Sequence, residues 1–496
     1  MENLKERYSL KLFLVFAVVR GILAVAQRTH MHADEHWQGP EVAHRLVFGS
    51  PYKTWEWLDD VALRSHFHPF IFAIFFKIIS ILHLDTPWLV AYGPRLVQAI
   101  IAAAGDTCFY RIAQKLYGSQ AASIVTACHM TSWYSVYSHC RTTGNAMEMS
   151  LTLIGLWFQL SDRPVITAIV AAACFIMRPP SAIFWLPICI AIAFRYPLRR
   201  TLQCLAAAVS LILFSMLTDR LFYGTSSGWF VPWNFFKFNV LDGISRQYGE
   251  EPWDMHIRFF RETYGVYLLA VPFGLLKFPG SWKVAMTVIF VAMSLAAHKE
   301  HRFLMPFLAV AFLGCAPALL RVSGLKLLYA ACIVQHAFIG VWMSRWDWAG
   351  AEVVMEKLRQ VTSDGDKVFF LTRAHATPFY QYMHKTGVTL DFPDGSPWPV
   401  RKTEISDSDT FMAEPAAWIR GPGRDKLAEA KWVVFEARDQ VDPNKVPGAF
   451  EELRLQDFSP LGGPVFDVYH IFEWIPFRGA GPFYYKLFER NIKHSF

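Results

Sequence analysis

Two adjacent carboxylates, Asp34 and Glu35, stand in the run Thr29-His-Met-His-Ala-Asp-Glu-His-Trp-Gln38, directly after the first long apolar stretch. Ionised groups at the mouth of a membrane helix lose hydration, so a carboxylate pair is expensive to keep there. Chemistry on a substrate held at the membrane surface is a reason to keep it, and a carboxylate is suited to take a proton from an attacking hydroxyl. Nothing in the spacing ranks one neighbour above the other. The same polar segment continues through Gln38 and Glu41 to Thr54-Trp-Glu-Trp57, Arg64 and His66. Trp55 and Trp57 offer flat faces to sugar C–H surfaces, while Gln38, Glu56 and Arg64 offer partners for hydroxyls. The tryptophans fit an interfacial aromatic belt equally well.

A second concentration of charge is His298-Lys-Glu-His-Arg-Phe303, set between two apolar blocks. His298, Lys299 and Arg302 together suit an anionic partner, and a lipid-linked phosphate is the natural one. The alternative is snorkelling charge at a helix end, paired with Glu300. In Arg141-Thr-Thr-Gly-Asn145-Ala-Met-Glu148, Asn145 and Glu148 are three apart and share a helical face. Arg141, Asn145 and Glu148 serve either substrate contact or a helix cap with an interhelical hydrogen bond. Arg178 before Pro179 and Pro180 reads as a short turn, and Asp219 beside Arg220 as a local ion pair. His30, His32 and His36 are candidate metal ligands, but spacings of two and four in a loop are a weak signal. No metal is expected. No phosphate-binding glycine loop, dinucleotide pattern, serine triad or zinc spacing is present.

These residues need a membrane scaffold. The 496-residue chain is 53% hydrophobic and only 18% charged, against roughly 25% charged for a soluble domain. Apolar blocks recur from Leu10 to Met343 and then stop, which describes a polytopic membrane protein with a polar tail. They lie near residues 9–27, 88–112, 119–139, 147–161, 165–177, 181–194, 202–218, 263–278, 284–298, 303–320 and 325–343. Read with a cytosolic N-terminus, and with Pro69–Leu84 associated with the membrane but not crossing it, four loops carry Arg and Lys on the cytosolic side. About eleven spans follow. Segments 28–68, 139–147, 178–181, 218–262 and 298–302 then share the opposite side. The loop 218–262, with its aromatic and amide content, suits a lid or an interfacial helix. Beyond Gly350 a helical stretch, Ala351–Val361, alternates with β-rich runs at Lys367–Leu371, Trp432–Phe435 and Val465–Phe472, so the tail reads as a small α/β domain. Asp391–Pro399 and Gly421–Arg424 supply its turns. Eight scattered cysteines form neither a disulfide framework nor a metal knuckle. Leu10–Ala26 reads as a signal anchor, not a cleaved peptide. The net charge of +7 sits largely in short loops and calls for no nucleic acid.

On these residues the chain resembles the endoplasmic-reticulum mannosyltransferases of the GT-C superfamily, which use dolichyl-phosphate-mannose in GPI-anchor and N-glycan assembly. Ala33-Asp-Glu-His-Trp-Gln38, Thr54-Trp-Glu-Trp57 with Arg64-Ser65, and His298-Lys-Glu-His-Arg-Phe303 look like that family's signature motifs. The likeness leans to the GPI-anchor branch through Asp219-Arg-Leu-Phe-Tyr-Gly224, Asn234-Phe-Phe-Lys-Phe-Asn-Val-Leu241 and His375-Ala-Thr-Pro-Phe-Tyr380. Ala33 and Ala309 stand where many relatives carry proline, and Asp254-Met-His256 replaces a more aromatic run.

The resemblance implies an α-helical polytopic GT-C fold, with a transmembrane catalytic domain over 1–349 and a lumenal α/β domain over 350–496. It implies a multi-pass protein of the endoplasmic-reticulum membrane with a lumenal site, acting on a GPI-anchor glycolipid intermediate. The reaction would be inverting α-1,2 transfer of a third mannose. Asp34 is then the base with Glu35 its close rival, and His298, Lys299 and Arg302 hold the departing phosphate. Gln38, Trp55, Glu56, Trp57, Arg64, Arg141, Asn145 and Glu148 would face acceptor or sugar. Dolichyl-phosphate-mannose is a co-substrate, and no cofactor is expected. The rivals are a sister enzyme of N-glycan assembly, a non-catalytic subunit, and a lipid or sugar-lipid transporter. Transporters favour charges near the midplane, whereas here they collect at one face.

Overall fold

Most of the apolar blocks form helices, and the computed structural model shows where proline and glycine interrupt them. It describes residues 2–50, 52–224, 229–321, 326–345, 350–372, 376–377, 379–385, 387–394, 407–437, 445–460, 465–466 and 484–490. Among the described residues, three helices are long and apolar enough to cross a membrane: Ser9–Ala26, Pro87–Tyr117 and Leu198–Tyr223. Phe67–Ile81, Pro164–Met177, Pro179–Arg195, Gly280–Leu295 and His301–Leu313 are apolar but shorter. On the first helix Leu10, Leu14, Val18 and Ile22 are exposed at a spacing of four. Such an apolar stripe is avoided in water and suited to lipid.

Three expected blocks are not single helices. The block 119–139 breaks at Ser132, whose extended backbone and hydroxyl cap the helix Trp133–Ser138. The block 263–278 stops at Tyr264, because Gly265 turns the chain with φ +51° and ψ −125° and Pro272 follows. The block 303–320 becomes a 3-10 turn, His301–Leu304, then helices Met305–Leu313 and Ala316–Arg321.

The chain packs as two units. One comprises residues 1–26, 59–68 and 95–341 and is helical. Within it Pro164–Met177 packs against Gly144–Leu160 and Leu198–Tyr223, and Met305–Leu313 against Gly144–Leu160. Gly155 permits the approach of Pro164–Met177, since a Cβ there would lie 2.9 Å from Val170 Cγ1. A polar lock crosses the apolar interior. The Arg20 guanidinium donates to both oxygens of Asp106, at 2.7 and 3.1 Å, and to Ser135. His129 and His139 approach the same carboxylate at 3.5 and 3.4 Å. A buried pair is tolerable only when its remaining hydrogen-bonding groups are also satisfied.

The other unit comprises residues 27–58, 69–94 and 342–496. Its sheet contains β1 (Lys367–Leu371), β2 (Thr389–Asp391), β3 (Trp432–Ala437), β4 (Phe458–Pro460), β5 (Val465–Phe466) and β6 (Tyr484–Arg490). The order is β2-β1-β3-β6-β4, with β5 also on β6. β1 runs parallel to β2 and β3, whereas β6 is antiparallel to β3, β4 and β5. Alternate residues of β1 and β3 enter two different cores. Val368, Phe370 and Val434 pack with Val354, Met355 and Leu358 of the helix Gly350–Val361. Phe369, Leu371, Val433 and Phe435 pack with Trp418, Leu427 and Leu453. Strands covered on both faces read as continuous apolar runs, which is why β1 and β3 are legible in the sequence. The short β2 and β4 and the mixed Tyr484–Arg490 are not. Gly421–Arg424, expected as a turn, enters a helix at Gly423. His375, Pro378, 395–399 and 467–472 lie outside the described residues.

Candidate active site

Asp34–Trp37 form a single helical turn, and Pro40 starts the next helix, Pro40–Phe48. Proline suits that first position because the N–H it lacks would have no helical partner. Glu35 is fully buried, and its carboxylate accepts the backbone N–H of Met31 at 2.8 Å. Asp34 keeps 23% of its side chain exposed, and its own N–H donates to His32 Nδ1 at 3.3 Å. His32 Nδ1 also lies 3.7 Å from Asp34 Oδ1. Gln38 donates to both oxygens of Glu56, at 3.2 and 3.1 Å. Trp57 is buried and donates to the Trp37 carbonyl at 3.1 Å, so its ring serves packing, whereas Trp55 stays half-buried.

The turn is tied to a segment more than 300 positions away. Trp37 Nε1 donates to Thr377 O at 3.1 Å, and its ring meets Phe379 edge-on at 4.9 Å. Glu41 is buried and accepts the backbone N–H groups of Phe379, Tyr380 and Gln381 at 2.6, 3.1 and 3.1 Å. Burial pushes the Glu41 carboxyl up to about 7, against the opposing pull of those three bonds. Glu41 is visible in the sequence as one more carboxylate, but nothing there marks its three donors.

In the helical unit, Glu300 organises the cationic segment. Arg302 donates to both of its oxygens at 2.7 and 3.0 Å. His298 Nε2 lies 3.2 Å from Glu300 Oε1 and Nδ1 lies 2.9 Å from the Gly249 carbonyl. Both partners are acceptors, so the arrangement favours a ring protonated on both nitrogens. The Glu300 bond accordingly holds the His298 pKa above its ordinary value. Lys299 is buried and donates to Glu251 O at 2.7 Å. The pairing with Glu300 expected of a helix-end cluster therefore forms for His298 and Arg302, while Lys299 is held by a carbonyl.

Asn145 and Glu148 divide their work. Asn145 donates to the Arg302 carbonyl at 2.7 Å, and Glu148 pairs with Arg178 at 2.8 Å. Arg178 is thus no simple turn residue; its guanidinium also lies 5.8 Å from the Phe303 ring centre. Arg141 is fully buried, donates to Tyr137 O at 2.9 Å and covers the Tyr137 ring. Arg64 lies over Phe235, and its carbonyl accepts the Tyr223 hydroxyl at 2.6 Å. Asp219 binds His66, accepting its N–H at 2.7 Å with Nδ1 at 3.1 Å, in place of the expected Arg220 pair. Arg220 instead covers Trp229. His66 is the better partner because its backbone and ring donors converge on one oxygen. Among the described residues, the carboxylate–histidine group whose ligand atoms converge is Asp106, His129 and His139, not the histidines flanking Asp34.

The Alg9-like mannosyltransferase family model matches residues 11–384, which include both charged segments and the Thr377–Gln381 tether. The chain belongs to this family. It is therefore a mannosyltransferase, and its family members are extensive in their likeness. Mannosyltransferase APTG1 of Arabidopsis thaliana is 31% identical over 494 residues, covering 90% of this chain and 86% of the relative. GPI alpha-1,2-mannosyltransferase 3 of Xenopus laevis is 28% identical, covering 82% and 79%; that of Homo sapiens is 28% identical, covering 82% and 76%. ArnT from Cupriavidus metallidurans bound to undecaprenyl phosphate superposes with a TM-score of 0.55 at 11% identity, over 96% of this chain and 97% of that one. The Archaeoglobus fulgidus oligosaccharyltransferase gives 0.50 at 14%, over 91% and 71%. At such identities the likeness is one of fold, and it is the helical GT-C fold expected of the family.

Proposed function

We propose that the chain transfers mannose from dolichyl-phosphate-mannose to a GPI-anchor precursor, adding the third mannose in α-1,2 linkage at the lumenal face of the endoplasmic-reticulum membrane. The observation that carries the catalytic reading is the difference between the adjacent carboxylates. Glu35 is buried and closed onto the Met31 N–H, whereas Asp34 keeps part of its carboxylate exposed. Asp34 is the base: it takes the proton of the acceptor hydroxyl as that oxygen attacks the anomeric carbon. The bond from that carbon to the dolichyl phosphate oxygen breaks as the glycosidic bond forms, so a β-linked donor gives an α-linked product. The charge that develops on the leaving phosphate is stabilised by the His298 imidazolium, Lys299 and Arg302. No metal or other cofactor enters the step.

Gln38, Trp55 and Glu56 serve the acceptor, while Asn145 and Glu148 hold Arg302 and Arg178 in place. The scaffold comprises about eleven spans, with a catalytic region over 1–349 and a lumenal region over 350–496. The reading is tested in microsomes from cells lacking this protein, supplied with labelled dolichyl-phosphate-mannose and two-mannose GPI lipids. Wild-type protein should yield three-mannose product and Asp34→Asn none at matched expression. Elongation of N-glycan precursors alone would overturn the acceptor.

A further inference from the structure

The side chain of Gln381 is buried between two sets of partners in the sheet-bearing unit. Its Nε2 lies 2.8 Å from the Ala91 carbonyl and 3.4 Å from that of Val90. Carbonyls only accept, so the NH2 end of the amide must face them and Oε1 must face the other way. Oε1 lies 3.1 Å from His36 Nδ1. An amide oxygen also only accepts, so Nδ1 carries a proton, and in the neutral form of the ring the lone pair is on Nε2. The backbone N–H of Gln381 is held by Glu41, which fixes the amide's starting point. His36 directly follows Asp34 and Glu35 in the same helical turn.

We infer that Gln381 is a positioning residue for mannosyl transfer: it sets the tautomer and rotamer of His36 and so holds the turn that carries Asp34. The inference rests on the reading of Asp34 as the base. It assigns the segment around Gln381 a part in catalysis although no proton, sugar or phosphate need touch it. The geometry is demanding because a misplacement of about 1 Å can lower a rate about 10²-fold. Among the described residues, the titratable groups around His36 include His30 at 6.0 Å and Tyr382 at 5.5 Å between ring centres, Glu41 through the Gln381 backbone N–H, and His32, Asp34 and Glu35 of its own segment.

Two variants of the full-length protein test this. Gln381→Leu removes the acceptor; the expected result is a kcat lower by about 10²-fold with the KM for donor little changed. Gln381→Glu keeps the shape and the acceptor toward His36 but exchanges the donor facing the Ala91 carbonyl for an oxygen; ionised, its carboxylate on Nδ1–H favours the imidazolium. Its rate should therefore be depressed at neutral pH and recover toward alkaline pH, giving an ionisation that wild-type protein lacks. A purely structural role would lower the rate equally at every pH. A Gln381→Glu profile parallel to wild type, or Gln381→Leu at wild-type kcat, would overturn the inference. Where Gln381→Leu fails to accumulate, the isosteric Gln381→Glu decides alone. Histidine-nitrogen NMR of selectively labelled protein reads the His36 tautomer without turnover. A wild-type ring protonated on Nε2 alone sinks the proposal, while an active Asp34→Asn with His36 protonated on Nδ1 sinks only the assignment of the base.

Discussion

The carboxylate of Glu41 accepts the backbone N–H of Phe379 at 2.6 Å, joining residues 338 positions apart. With Tyr380 and Gln381 it satisfies three donors at once. Replacing Glu41 by alanine strands buried N–H groups, each worth about 1–3 kcal/mol of desolvation. Glu41→Ala should lower the unfolding temperature of detergent-purified protein by several degrees, and Glu41→Gln, which keeps one acceptor oxygen, by less. Equal melting of wild type and Glu41→Ala would show that the tether contributes nothing.

Asp34 and Glu35 should separate kinetically. Loss of a general base removes about 10²–10⁴-fold in rate, so Asp34→Asn should abolish detectable transfer. Glu35→Gln retains an oxygen able to accept the Met31 N–H and should keep measurable activity. A dead Glu35→Gln beside a working Asp34→Asn reverses the assignment.

Glu148 and Arg178 form an ion pair in which the carboxylate is almost wholly buried. Removing one partner of such a pair costs about 3–5 kcal/mol because the other charge is left without compensation. Glu148→Gln should therefore destabilise the protein more than the double variant Glu148→Gln/Arg178→Gln. Thermal unfolding of wild type, Glu148→Gln, Arg178→Gln and the double variant, compared as a mutant cycle, reads the coupling directly; strict additivity would mean that the pair does not interact.

The pH response of His298 has a definite sign. Its folded pKa is raised, chiefly by the Glu300 bond. The imidazolium's contribution is full below the unfolded value of about 6.5 and is lost as pH rises through the higher folded value. Stability and donor affinity should both fall over that interval. Glu300→Gln removes the main cause and should flatten the dependence; an unchanged profile would assign it to another group.

Trp55 and Trp57 should behave differently despite their proximity. Trp57→Ala empties a buried site and is expected to cost about 3–5 kcal/mol. Trp55→Ala, at a half-buried ring, should leave melting nearly unchanged while raising the KM for acceptor. Equal destabilisation by both would remove Trp55 from the acceptor's surroundings.

Several features were open to direct reading. The excess of apolar blocks, their charged loops and the side-by-side carboxylates depend on composition and local order, and so did the resemblance that led to the family. The twice-covered strands at Lys367–Leu371 and Trp432–Ala437 were visible because burial on both faces demands apolar residues at every position. The edge strand Thr389–Asp391 and the polar-mixed Tyr484–Arg490 carry no such demand and were missed. Helix ends inside apolar runs escaped for a related reason: hydropathy averages over a Gly265 or Ser132 whose backbone angles break the run.

What the sequence determined by itself was the inventory: which acids, cations and aromatics the chain holds and which elements carry them. Which acid is buried and which retains exposure was decided only by the tertiary structure. So were the pairing of Glu148 with Arg178, the diversion of Asp219 to His66, and the Gln381 amide set between His36 and Ala91. Each depends on where a partner 30 to more than 300 positions away comes to rest, and hydrogen bonds act over about 3 Å of space, a distance that order along the chain does not encode.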